Sequence, residues 1–166
     1  MKRRILGIVV ALMLVTALGI VGLAQFRLDA LQEPGRVETA LATRAKRTLI
    51  RRSSRDGIPP APTNLGASVE EGDKLYGTDC GGCHGLDGNK LTDAGRWMYP
   101  RAARLASHEV QQYSDRELFW IVKNGIRLSG MPAFGNVESD EHIWNLVHYI
   151  RTLPRSANPK SGGNTN

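Results

Sequence analysis

The run Cys80-Gly81-Gly82-Cys83-His84 constrains this chain more than any other feature. Two thiols with two residues between them reach the two vinyl groups of one porphyrin, and the adjacent histidine is carried beneath the iron as an axial ligand. The glycines let the backbone turn close to the macrocycle. A chain bonded to a flat apolar disc has to fold around it. A thioredoxin-like redox pair would need a strand before the cysteines and a helix after them in a βαβ pattern, which the sequence lacks. A structural zinc site would need four ligands at paired spacing, and these are the only two cysteines. The expectation is one covalent haem c with its iron.

A haem held by one histidine has a second face to cover, and Met131 leads the candidates. It sits in Gly130-Met131-Pro132-Ala133-Phe134-Gly135, where glycine and proline fix the backbone on both sides of a thioether. A thioether is a soft, weak ligand that favours ferrous iron and raises the potential relative to a second histidine. His108, His142 and His148 are rivals without a fixed loop around them, and a lone histidine says little. Met98, in Trp97-Met98-Tyr99, reads better as pocket wall.

Other features agree with one family. Ser68 and Glu71 form a capping-box pattern opening a helix toward Cys80, and Ser114 with Glu117 forms another. The second opens a helix with Leu118, Ile121 and Val122 on one face and Asn124-Gly125 at its end. A last helix reads Glu141 to Arg151. With the haem motif and the methionine loop, residues 66–154 resemble a class I c-type cytochrome, a small all-α monohaem electron carrier. Gly72 and Tyr76 match the family's glycine and aromatic residue, and Leu146 and Tyr149 match their partners on the last helix. The resemblance implies thioethers at Cys80 and Cys83, a proximal bond from His84 and a distal bond from Met131. It also implies that the Pro100 carbonyl accepts the other ring N–H of His84. It covers a little over half of the chain.

The amino terminus supplies a location. Lys2, Arg3 and Arg4 precede an uncharged run, residues 5–24, long enough as a helix to cross a bilayer. The cations before it favour a cytoplasmic end at residues 1–4, which puts the rest on the exported, periplasmic side of the inner membrane. A cleaved signal peptide is the competing reading, because Gly22-Leu23-Ala24 offers small residues at its end. Residues 25–65 read as a basic, proline-rich linker ending in Ile58-Pro59-Pro60-Ala61-Pro62. Within it Val37, Leu41, Ala45 and Leu49 fall four apart among arginines, a short amphipathic helix. Such a helix belongs to a solvated linker, or lies on the membrane surface or on a partner subunit. Residues 155–166 form a polar tail.

The net charge of +6 suggests nucleic acid only until it is divided, since residues 65–154 hold nine basic and twelve acidic side chains. No basic patch on the domain follows. Two strong axial bonds would leave no position at iron for a small-molecule substrate, which points to an electron carrier and not an enzyme. Its partners would be membrane redox complexes, as a shuttle or as a fixed subunit of a respiratory or photosynthetic assembly. A haem-based gas sensor, with Met131 displaced by ligand, is the alternative from another class.

Overall fold

A computed structural model describes residues 2–25, 31 and 33–153, and the chain divides into two units, residues 1–33 and 34–166. The tail expected over 155–166 lies outside the described residues. In the first unit, α1 (Lys2–Gln25) has 24 residues, about 36 Å at helical rise. Its stretch Lys2–Gly22 is long and apolar enough to cross a membrane. A signal sequence would share that length and composition.

The second unit is helical, and no strand occurs among the described residues. In chain order it holds α2 (Arg36–Ser53), α3 (Leu65–Asp79), α4 (Gly81–His84), α5 (Asp93–Trp97), α6 (His108–Gln111), α7 (Asp115–Asn124), a 3-10 turn at Phe134–Asn136, and α8 (Asp140–Ile150). The all-α expectation holds.

Helices α3 and α8 form the frame. They meet at Gly72, where an added Cβ would lie 2.1 Å from the Asn145 carbonyl oxygen, so only glycine permits this approach. One turn on, the Tyr76 and Tyr149 rings meet at 5.0 Å, tilted by 50°, and Tyr76 Oη–H donates to the Gly85 carbonyl at 2.8 Å. Burial and the Cys80 side chain push the Tyr76 hydroxyl above the ordinary tyrosine range, so it stays a donor. Leu146, Ile143 and Val147 of α8 are fully buried, and Phe119 of α7 packs on Trp144 at 4.8 Å.

Caps decide where the helices begin. Helix α7 carries the expected box: Glu117 N–H donates to Ser114 Oγ at 3.3 Å, and Ser114 N–H donates to Glu117 Oε2 at 2.7 Å. Helix α8 opens at Asp140, with Ser139 Oγ accepting from His142 N–H. Helix α3 corrects the sequence reading. It begins at Leu65 and not near Ser68, because Asn64 caps it by accepting from Ala67 N–H at 3.2 Å. Ser68 lies inside the helix instead, 4% exposed. Its Oγ–H donates to Asn145 Oδ1 at 2.5 Å, and Ser68 Oγ itself accepts from His148 Nδ1–H at 2.7 Å.

The segment before α3 packs on the domain. Helix α2 docks through Ile50, which is 3% exposed in the core. Arg47 donates to the Glu109 carbonyl and Gln112 Oε1, and its guanidinium lies 5.1 Å from the Tyr113 ring centroid. Arg51 pairs with Glu117 at 3.7 Å. Beyond the helix, Ile58 packs against the core and the Pro59 carbonyl accepts from Trp144 Nε1–H at 3.1 Å. The expected domain start at residue 66 therefore cuts through packed chain. Proline at 59, 60 and 62 favours an extended backbone here, as its fixed φ dictates.

Two outcomes follow. Gly72→Ala is expected to cost about 3 kcal/mol, the scale of an overpacked core, read by guanidinium unfolding of the haem-loaded protein. Burial holds the His148 pKa below its ordinary value, against a smaller upward pull from Asp115. The unfolded chain thus takes up a proton that the folded chain refuses, and stability is lost as pH falls below about 6.5 toward the folded value. Subtracting the stability–pH profile of His148→Gln from the wild-type profile is expected to isolate that slope.

Candidate cofactor site

Helix α3 delivers Cys80 into the single turn of α4, so Cys80, Cys83 and His84 share one tight corner. Both thiols are unbridged, with Cys80 buried and Cys83 half-buried. Burial pushes the Cys80 thiol up to about 12, with Asp79 and Cys83 adding to the rise. The backbone leaves the corner at Gly85 with φ +74, where a Cβ would fall 2.0 Å from the Lys90 carbonyl oxygen. Only glycine turns there.

Three contacts clamp this corner from outside. Tyr76 holds Gly85 from the α3 side. From the other side, Thr92 Oγ1–H donates to the Gly82 carbonyl at 2.6 Å and accepts from Gly95 N–H at 3.2 Å, capping α5 against the motif. Gly95 then lies so close that a Cβ would meet the Cys83 carbonyl oxygen at 2.1 Å.

His84 is 9% exposed, and its Nδ1–H donates to the Ala103 carbonyl at 2.7 Å. This corrects the sequence reading, which gave that acceptor to Pro100. Pro100 is exposed and follows a cis peptide from Tyr99, while the chain beyond it returns to the site and presents its carbonyl three residues later. Loop length, fixed by the Ala102 N–H to Gly95 carbonyl bond at 2.9 Å, selects Ala103. With the proton on Nδ1 the lone pair is on Nε2, the tautomer that an iron ligand needs. Burial also lowers the His84 pKa, which favours the neutral ring, while the Ala103 bond acts in the opposite direction.

Met131 occupies a braced loop after α7. Gly125 ends that helix at φ +66, and a Cβ there would collide with the Pro132 and Met131 carbonyl groups. Ser129 Oγ accepts from Met131 N–H at 3.2 Å and donates to the Ile126 carbonyl at 2.7 Å. Met131 packs against the same core cluster that contains Cys80. Met98 seats its sulfur against Gly130, at the base of this loop. The other histidines are engaged elsewhere or exposed: His142 on Glu138 at 2.7 Å, His148 on Ser68, and His108 on the surface at the start of α6.

Ala103, Thr92, Gly95 and Ser129 escaped the sequence reading. Thr92 alone left a signal, as a residue of capping type before Asp93. The donor set suits a c-type haem, with two unbridged thiols beside a neutral imidazole whose second nitrogen is oriented by a backbone carbonyl. Thr92→Val keeps the side-chain shape but removes a cap and a clamp. It is expected to cost about 1–2 kcal/mol in denaturant unfolding of the haem-loaded protein.

No curated protein matches the chain. Among solved structures, it is similar to a chain of a reducing HAO-like protein complex from Kuenenia stuttgartiensis, at 23% identity and a TM-score of 0.49. The match covers 58% of this chain and spans 47% of that one, about half of its length. The family described as cytochrome c oxidase, cbb3-type, subunit III matches residues 67–150, from the third residue of α3 to the last of α8. With that match over slightly more than half of its length, the chain belongs to this family and is a c-type cytochrome.

Proposed function

We propose that the chain is a single-electron carrier holding one haem c, bonded through Cys80 and Cys83 with His84 and Met131 as axial ligands. The observation that carries this reading is the His84 imidazole, buried, neutral and aimed by the Ala103 carbonyl, beside two unbridged thiols. Haem iron supplies a one-electron couple, and the protein supplies its axial ligands, their orientation and a dry setting. Ala103 fixes the plane of the His84 ring and makes its lone pair more basic. Ser129 and Gly125 hold Met131 in a loop with little freedom to swing away. Two ligands so restrained keep the geometry nearly equal in both oxidation states, which suits electron transfer and leaves no place for substrate.

The partners on this reading are membrane redox complexes. The family's description names a subunit of an oxidase, which supports a place within or beside such an assembly. The α1 helix serves as the single-pass anchor of a domain on the periplasmic side of the inner membrane, supported by its length and by the cations at its start.

Optical spectra test the ligand set. The oxidised protein is expected to show the weak sulfur-to-iron charge-transfer band, and Met131→Ala is expected to lose it and to shift the midpoint potential downward. Met98→Ala is expected to keep both. A band that survives in Met131→Ala, or a native five-coordinate spectrum, overturns the assignment.

A further inference from the structure

Helix α2 is held to the domain mainly through one face, with a further contact at its first turn, where Tyr99 Oη–H donates to Glu38 Oε1 at 3.3 Å. Ile50, Arg47 and Ser54 face the domain, while Val37, Leu41 and Leu49 are 74%, 65% and 63% exposed. At about 100° per residue the positions 37, 41, 45 and 49 span an arc of about 120°, nearly opposite Ile50, Arg47 and Ser54, with Glu38 at its amino-terminal end held by Tyr99. Single exposed leucines mean little. Three large apolar side chains aligned over about 18 Å of helix form a patch, and its orientation is fixed by the docking on the other side.

Charge and chain length identify what covers it. Arg44 borders the stripe and Arg52 continues it at its carboxy-terminal end, both exposed. Residues 25–64 carry eight basic and four acidic side chains, whereas the domain that α2 packs on is acidic. Ten residues separate Gln25 from Arg36, at most about 40 Å of extended chain. A second copy of this helix would bring arginine against arginine, which disfavours self-association.

We propose that α2 is an interfacial helix that seats on an anionic lipid surface. Val37, Leu41, Ala45 and Leu49 enter the boundary between headgroups and acyl chains, and Arg44 and Arg52 meet lipid phosphates. The proposal rests on the reading of α1 as a retained anchor, because the short connection then holds α2 near the bilayer. Since α2 is also fastened to α6 and α7, lipid docking fixes the orientation of the whole haem domain and limits which face a partner meets.

The test uses the full-length haem-loaded protein with a nitroxide on Leu41→Cys, reconstituted into vesicles of phosphatidylcholine alone or mixed with phosphatidylglycerol. With phosphatidylglycerol the label is expected to gain collisions with oxygen and lose them with an aqueous nickel chelate. In phosphatidylcholine alone it is expected to stay aqueous. The same label in the Arg44→Glu/Arg52→Glu background is expected to stay aqueous in both, with the haem spectrum unchanged. A label on Glu141→Cys, on exposed α8 surface, is expected to be aqueous throughout. A Leu41 label that is aqueous in the mixed vesicles overturns the proposal. So does one equally shielded in both vesicles and in detergent, which would mark a protein cover. Alkaline extraction reads α1 separately. A chain that stays with the lipid while its Leu41 label is aqueous sinks only the α2 docking, and a chain washed away sinks the anchor.

Discussion

The crossing of α3 over α8 at Gly72 is the constraint on which the rest depends. Where backbone nearly touches backbone, helix direction is set by contact and not by the give of long side chains. Tyr76 and Tyr149 then meet as tilted rings a turn further along, and Tyr76 turns its hydroxyl onto Gly85. The position of the cysteine corner is therefore inherited from a contact nine residues upstream. Ser68, Asn145 and His148 complete the same crossing with a polar network that is worth having only because every member finds a partner there.

The corner itself is held by backbone more than by side chains. Carbonyls of Gly82, Gly85 and Ala103 take the hydrogen bonds that fix it, and glycines at 85 and 95 admit neighbours at distances no Cβ would allow. Side chains on the surface can drift without disturbing such a site. The methionine loop follows the same logic, with Ser129 and Gly125 serving the backbone of residues 126–132.

How much of this the sequence disclosed depends on whether the information was local. The haem motif, the α7 capping box and the apolar face of α7 were legible because each needs only residues three or four apart. The methionine loop was legible as punctuation, glycine and proline around sulfur. The acceptor of the His84 proton was not, because a carbonyl belongs to every residue and its choice depends on how a loop closes. The start of α3 was hidden because Ser68 and Glu71 have capping spacing, yet Asn64 is an equal cap one turn earlier, two residues after Pro62. In α2 the periodicity of residues 37–49 was real, but the face that meets the domain is built on Arg47 and Ile50, a polar and long-range attachment that no helical wheel displays.

That attachment separates the unit of ancestry from the unit of cooperative folding. The family match begins at residue 67, yet the indole of Trp144 is satisfied by Pro59, and the socket beside α7 is filled by Ile50. A protein trimmed to the shared cytochrome portion would present to water an indole N–H and an apolar hollow that the intact chain keeps covered. The upstream segment is thus the domain's own lid over that hollow and that indole.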